Sequence, residues 1–552
     1  MPSVTEILRR ADHRRLRAGM AVLFLAAFSS PVTLRALSPV YGGAPSHIFH
    51  GYGAGVVAAA AWFLKDHVHR LSRRKAVYFL PILAFWIPTV QYLMFQQSRL
   101  LGNPLGPVLT DIFTYYPLLF LSVACAGKLV QIGLRVEHDG DLMAEHVPLL
   151  GSYVVYAIGL KFAKTFIAKF IGSFYLFTSG GLQLIIAALY SAAIPSKLLL
   201  LALPSILFST TANVHMPFGR TTAAMDSALH EEGYALVARQ ESTTGYISVL
   251  DNLDDGFRVM RCDHSLLGGQ WTKTHRNYDP AVKDPIYAVF TMLEAVRLVE
   301  DVSGGPRTDA GRNALVIGLG VGTTPSALMS HGIDTTVVEL DPVVHKFAQQ
   351  YFHMPSNHIA AIEDAIDFVE RARQAVKPVE YDYIVHDVFT GGAEPVELFT
   401  LEFLQGLDAL LKHDGVIAIN YAGDLNLHPA SLAVRTIQAV FPSCRIFRED
   451  IPVDNTSDFT NMVVFCTKSR SPEPLRFRDP DPTDYLGSQF RQAYLVPKHE
   501  IDPAVFQNVH KGGRHVLRAK DTGRLSKAQD RGALEHWGIM RTVMPNAVWE
   551  NY

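Results

Sequence analysis

The sequence predicts two units of different kinds: an α-helical transmembrane bundle, followed by a doubly wound, mostly parallel α/β domain with a small β-hairpin cap at its start. Three observations predict this. Long apolar blocks follow one another up to about residue 215. Beyond that point charged residues return, and short β-rich runs alternate with helical periodicity. Within this second half, residues 313–341 read as strand, glycine turn, helix and strand, the order of a nucleotide-binding βαβ unit. The chain, at 552 residues, is longer than one ordinary domain. Its divisions are expected at 1–215 for the helical unit, 216–240 for a polar linker, 241–302 for the hairpin cap and a helix, 303–468 for the α/β domain and 469–552 for a C-terminal extension.

Candidate spans in the helical unit are 18–37, 47–64, 76–95, 107–130, 149–170, 173–194 and 197–209. Several approach the roughly 20 apolar residues that a helix needs to cross a bilayer. Arg9, Arg10, Arg14, Arg15 and Arg17 precede the first block, and Lys65, Arg70, Arg73, Arg74 and Lys75 follow the second. Both basic segments are expected on the cytosolic side, with two crossings between them. Lys161, Lys164 and Lys169 share a block with Phe162, Phe166 and Phe170, so that block either crosses the bilayer or lies in its interface. Only Pro195 and Ser196 separate the last two blocks. An α/β half in the cytosol requires an even count, and six crossings are expected out of six or seven helices. Asp111 is the one acid clearly inside a span. The unit reads as an integral, multi-pass anchor that also presents an apolar acceptor.

In the second half, strand-like runs at 244–250 and 257–262 form the hairpin, residues 268–271 a loop, and 284–302 a helix. The βαβ unit comes next. Gly318, Gly320 and Gly322 let the backbone turn tightly and approach a ligand, while the following helix offers unpaired N–H groups. Glu339 ends the second strand about 20 residues beyond the first glycine, where a carboxylate accepts hydrogen bonds from ribose hydroxyls. Two further acids follow strands downstream: Asp364 after a strand near Ile359, and Asp387 at the end of a buried strand at 383–388. In a doubly wound sheet these three acids converge on one crevice. Asp364 either accepts a hydrogen bond from an adenine amino group or caps the helix that begins at Ile366. Asp387 either takes a proton from a nucleophile or caps its loop.

Composition excludes other classes. A formal net charge of −2 argues against a general nucleic-acid binder. Cys125, Cys262, Cys444 and Cys466 are scattered, so neither a metal centre nor a disulfide framework is expected, and the thiols read as reduced and packed.

Over about residues 243–467 these motifs resemble the spermidine synthase-like branch of the class I S-adenosylmethionine (SAM)-dependent transferases, which implies a Rossmann-like sheet of that type. The resemblance implies that Gly318, Gly320, Gly322 and Glu339 hold the nucleoside and its ribose, that Asp364 and Ala365 meet the adenine, and that Gln270 closes the cap over the cofactor. It implies that Asp387 receives the proton of the attacking nucleophile, with Tyr246 and Tyr287 lining the acceptor side. Three departures stand out. Val321 occupies a position where polyamine-forming members carry an aspartate, Val388, Phe389 and Thr390 lack a second acid, and Tyr287, Ala288 and Val289 replace a Tyr-His-Glu stretch. Each missing charge-assisted hydrogen bond is worth about 1.5–3 kcal/mol, which disfavours a polycation.

The expectation is a membrane-anchored transferase moving a methyl or aminopropyl group from SAM or decarboxylated SAM to an acceptor that is not polycationic, an apolar small molecule, with methyl preferred. A non-catalytic nucleoside-sensing module and a dehydrogenase stay open as alternatives, as does a homo-oligomer. In the extension, Lys511, Arg514, Arg518, Lys520 and Arg524 read as a solvated face or a membrane contact, and Trp537, Met540 and Trp549 are expected to fold back onto the α/β domain.

Overall fold

In the computed structural model, the structure describes residues 11–72, 75–135, 142–273, 278–300, 308–388, 395–451, 458–469, 474–507 and 515–552. Arg9, Arg10, Arg73, Arg74, Lys511, Arg514, the loop at 389–392 and the first part of the glycine-rich connector at 303–311 lie outside them, as does the side chain of Arg524. The chain divides into two compact units: residues 1–232 with 541–552, and residues 233–540.

The first unit is helical. Its helices include His13–Tyr41, Gly43–Leu71, Leu80–Phe95, Leu105–Phe113, Tyr115–Leu134, Leu142–Phe170, Ser179–Ala193 and Leu203–Thr211. The first starts where the Asp12 carboxylate accepts from the N–H groups of Arg14 and Arg15, and it stops at Gly42, whose φ of +85° suits a residue without a Cβ. Among the described residues four helices are long and apolar enough to cross a membrane: His13–Tyr41, Ala76–Phe95, Tyr115–Leu134 and His146–Phe170. The expected span at 107–130 is broken at Thr114 into two helices. Lys65, expected in a loop, lies inside Gly43–Leu71 with its ammonium over the Trp62 ring. Asp111 is buried, and His50 bridges it (2.8 Å) to Ser30 (2.9 Å).

The last twelve residues belong to this helical unit. The Tyr552 hydroxyl donates to the Ala36 carbonyl at 2.7 Å, and its ring stacks on His215 with centroids 4.2 Å apart. Trp549 is therefore buried among the helices and not on the α/β domain, contrary to expectation. The proposed linker at 216–240 is also structured. It contains the helix Gly219–His230 and most of the strand Tyr234–Glu241, whose residues do not alternate between apolar and polar.

In the second unit the cap is a four-stranded antiparallel sheet in the order β1 (Tyr234–Glu241), β2 (Tyr246–Asn252), β3 (Phe257–Cys262), β4 (Ser265–Trp271). The expected hairpin is its middle, and the loop expected at 268–271 is part of β4. The larger sheet holds β5 (Asn313–Ile317), β6 (Asp334–Glu339), β7 (Ile359–Ile362), β8 (Tyr381–His386), β9 (Leu411–Asp424), β10 (Ser443–Arg448), β11 (Phe459–Thr467) and β12 (His499–Ile501). Its order is β12-β10-β11-β9-β8-β5-β6-β7. Neighbours from β7 to β9 pair in parallel, and β11 pairs antiparallel with both β9 and β10. This is a Rossmann-like α/β fold. Strands in its middle are apolar on both faces, as helices covering both sides require.

Two residues tie the parts of this unit together. Asp341 is fully buried after β6; one carboxylate oxygen caps the helix Pro342–Tyr351 and accepts from the Ser242 hydroxyl at 2.7 Å, and the other accepts from Thr244 of the cap. Arg491, in the extension, gives two hydrogen bonds of 2.8 Å to Glu294, both side chains almost wholly buried. The extension thus supplies a structural ion pair as well as the edge strand β12.

Cys444 and Cys466 stand opposite each other on β10 and β11 and are joined by a disulfide, against the expectation of reduced thiols. Their separation in sequence hides a pairing that only strand register creates. Cys125 and Cys262 form no disulfide among the described residues.

Removing one partner of a buried ion pair leaves the other charge unpaired. Arg491→Ala should therefore lower the unfolding free energy by about 3–5 kcal/mol, measured by denaturant unfolding of the full chain in detergent; a loss below about 1 kcal/mol would show that the pair is dispensable.

Candidate active site

The carboxyl ends of β5, β6 and β8 meet at one crevice, and the glycine turn is its floor. Gly318, Gly320 and Gly322 have φ of +85°, +56° and +84°, a region that side chains disfavour. Sterics add a second requirement at two of them. A Cβ on Gly318 would lie 2.0 Å from the Asp387 carbonyl oxygen, and one on Gly320 would lie 2.4 Å from the Leu267 carbonyl oxygen. The turn is thus wedged between β8 and the cap. Gly322 caps the helix Thr323–Ser330, whose first residues line the crevice with their backbone N–H groups unpaired within the helix.

Glu339 is half-buried at the end of β6. Its carboxylate accepts from Leu319 N–H at 3.0 Å and Asp341 N–H at 2.8 Å, which fixes the glycine turn to the acid. Burial, opposed by these hydrogen bonds, raises its carboxyl to about 7. Asp364 is exposed and caps the helix Ala365–Arg373 by accepting from Ile366 N–H at 2.8 Å; Ala365 beside it is buried. The capping role that the sequence allowed is therefore occupied, and it leaves the other carboxylate oxygen free to face a ligand.

Asp387 follows β8. Its backbone N–H donates to Ile317 on β5 at 2.8 Å, and one carboxylate oxygen accepts from the Asn420 amide on β9 at 2.8 Å. Burial pushes its carboxyl up to about 6, with the Asn420 hydrogen bond pulling the other way. That value suits a group that must be ionised near neutrality yet able to hold a proton. His386 next to it points to the opposite face against Phe399 and Phe403, and burial lowers it to about 4. It is neutral and remote from the crevice.

The remaining wall is apolar. Leu267, Phe290, Val316, Leu319 and Val321 line it with Gly318 and Asp387. Val321 is buried against Gly268 of the cap, so the position lacking a carboxylate is filled by hydrocarbon. Tyr287 is half-buried with its ring 6.2 Å from Phe290; burial and then the charge of Glu449 push its hydroxyl up to about 12, so it is a hydrogen-bonding group and not a base. Gln270 is buried near the end of β4, bridged to Pro285. Tyr246 is buried in the cap sheet, with its ring under Arg261. Asn420, Phe290, Leu267 and Glu449 had no sequence signal, because nothing in a strand's own pattern says which neighbour it will lie beside.

Residues 299–472 match the spermine/spermidine synthase domain. Across its whole length the chain is 64% identical to the N-terminal histidine N-methyltransferase of Emericella nidulans, all of which it covers. The chain belongs to the N-terminal histidine N-methyltransferase family. A polyamine aminopropyltransferase of Vibrio vulnificus is 36% identical over 131 residues, 23% of this chain and 42% of that protein. A probable spermidine synthase structure from Corynebacterium glutamicum is 16% identical, with a TM-score of 0.39, over 51% of this chain and 95% of that one. Membership of this family makes the chain a SAM-dependent methyltransferase. It decides methyl over aminopropyl and sets aside the sensing module and the dehydrogenase.

The crevice fits SAM on its own geometry: glycines whose missing side chains leave the backbone bare, helix N–H groups, and a ribose-type acid bonded to the turn. Glu339→Ala should weaken SAM binding about 10- to 100-fold, while Asp387→Asn should keep SAM affinity and lose turnover, both read by calorimetry and product formation. Unchanged turnover in Asp387→Asn would remove it from the chemistry. A base that titrates at about 6 is protonated and idle below that pH. Turnover should therefore rise through pH 5–7 and level off above it.

Proposed function

We propose that this protein methylates a nitrogen of a histidine at the N-terminus of a polypeptide, while anchored in a membrane by its helical unit. The identity of 64% over the full length of both chains to a relative of that name carries the reading. The site supports it. An acceptor nitrogen with a lone pair needs one base, which Asp387 provides, and no set of carboxylates for a polycation, which Val321 and the apolar wall do not provide. An N-terminal residue of a polypeptide thus replaces the apolar small molecule expected from the sequence.

The chemistry is an in-line displacement. SAM supplies an electrophilic methyl on a sulfonium, and the electron pair of the breaking S–C bond leaves with sulfur as S-adenosylhomocysteine. Residues of the chain orient and deprotonate. Glu339 and the glycine turn hold the nucleoside, and the apolar wall excludes water from the methyl. Asp387, held by Asn420, takes the proton that the nitrogen sheds on forming its bond to carbon.

The four long apolar helices support membrane anchoring. The disulfide between Cys444 and Cys466 favours an oxidising compartment for the catalytic unit over the cytosolic side expected from the arginines.

Purified protein should transfer one methyl group from SAM to a synthetic peptide that begins with histidine, and no aminopropyl group from decarboxylated SAM, as read by mass spectrometry; a peptide beginning with alanine should stay unmodified. Equal methylation of both peptides would sink the histidine assignment. For the compartment, alkylation in intact cells should leave Cys444 and Cys466 unlabelled until reductant is added. Direct labelling of both would return the catalytic unit to the cytosol.

A further inference from the structure

Asp387 is one end of a polar row that runs across four adjacent strands. Residues alternate faces along a strand. Val385, Ala418, Val463 and Phe447 belong to one core cluster, which includes Val289 and Met292 of the helix Ala288–Leu293. Further along the same face, past the end of the hydrocarbon, stand Asp387 and Asn420 side by side on β8 and β9 and, stepped two residues onward because Asn461 is opposite Ala422 and Asn420 opposite Val463, Asn461 and Glu449 on β11 and β10. Below this edge the face is hydrocarbon. At the edge it becomes two carboxylates and two amides.

The row is built, with positions fixed by hydrogen bonds. Glu449 accepts from Asn461 Nδ2 at 2.6 Å with one oxygen and from Val289 N–H at 3.0 Å with the other, while its own N–H donates to the Asn461 carbonyl at 3.1 Å. Among the described residues no Lys, Arg or His pairs with it. Arg448, its neighbour in sequence, is committed to Asp458 and the Asp450 carbonyl. An ionised carboxylate has about four lone-pair sites, more than Asn461, Val289 and the Ala288 backbone fill. Asn420 is 4% exposed, and among the described residues its Oδ1 has no partner while its amide holds Asp387. The row therefore presents a half-buried carboxylate without a cation and a buried carbonyl without a donor among the described residues, with the Glu449 charge acting on Tyr287.

We propose that Glu449 receives the α-ammonium of the acceptor's first residue, with Asn420 Oδ1 as a second acceptor in the same subsite; this rests on the N-terminal acceptor reading above. Three strand intervals and a two-residue step separate Asp387 from Glu449, about 16 Å at the backbone. The subsite requires the two side chains to reach toward each other, leaving the span of one amino-acid residue with a hydrogen bond at each end. An α-ammonium supplies the charge and the donors that Glu449 lacks, and burial, which pushes the Glu449 carboxyl up while it is unpaired, is then offset. An internal histidine has an amide in place of the ammonium. Glu449 thus selects chain ends, while Asp387 serves the reacting nitrogen.

Binding of two peptides to the full-length protein loaded with S-adenosylhomocysteine tests this, one beginning with free histidine and one with Nα-acetylhistidine. The wild type should prefer the free amine by about 10- to 100-fold. In Glu449→Gln that preference should fall below about 3-fold, with KM for the free peptide raised, kcat little changed and S-adenosylhomocysteine affinity kept. Glu449→Asp, which keeps the charge, should retain part of the preference. A preference unchanged in Glu449→Gln would overturn the subsite. So would a wild type that methylates the free peptide yet binds both equally, an arm that needs no variant to fold. A wild type that methylates neither peptide overturns the N-terminal acceptor reading itself, and the subsite with it.

Discussion

The active crevice depends on one steric fact, that residue 318 has no side chain. The turn after β5 comes so close to β8 that any Cβ there would overlap the Asp387 carbonyl. Because β5 and β8 are paired neighbours, with Asp387 N–H bonded to Ile317, the turn that cradles the cofactor and the strand end that carries the base are one rigid piece. A displacement reaction asks for little more than alignment of nucleophile, carbon and leaving group. The fold supplies that alignment through backbone contact, with few side chains involved.

Around this contact the charges are distributed by burial. Glu339 is bonded to the glycine turn, Asp387 to Asn420, and Glu449 to Asn461 and a helix N–H, and none of the three pairs with a cation among the described residues. Elsewhere in the same unit buried acids are neutralised within the chain, Glu294 by Arg491 and Asp484 by Arg297 and Arg478. At Glu339 and Asp387 burial raises the carboxyl, with no cation to oppose it.

The departures from polyamine-forming relatives gain a physical meaning in this setting. Val321 packs under the cap and lines the crevice, so the wall that would face an amine chain is apolar. A methyl donor tolerates such a wall, because its charge sits on the sulfonium at the reacting centre. The extension is likewise integral: its Arg491 neutralises Glu294, β12 covers the edge of the sheet, and the final residues end among the helices of the other unit's fold.

By itself the sequence determined what local pattern can express. Apolar blocks placed the helical half, the strand, turn and acid order placed the nucleotide crevice, and Val321 argued against a polycation. These are readable because periodicity and turn chemistry act over a few residues. Tertiary structure decided what depends on which strands lie side by side. The cap's outer strands β1 and β4 escaped notice because β1 begins Tyr-Ala-Leu-Val-Ala without alternation and two glycines interrupt β4. The disulfide of Cys444 and Cys466, the hold of Asn420 on Asp387 and the row that ends at Glu449 all join residues far apart in the chain. Side-chain chemistry is written residue by residue, whereas proximity is set by sheet order and register, which no single strand encodes.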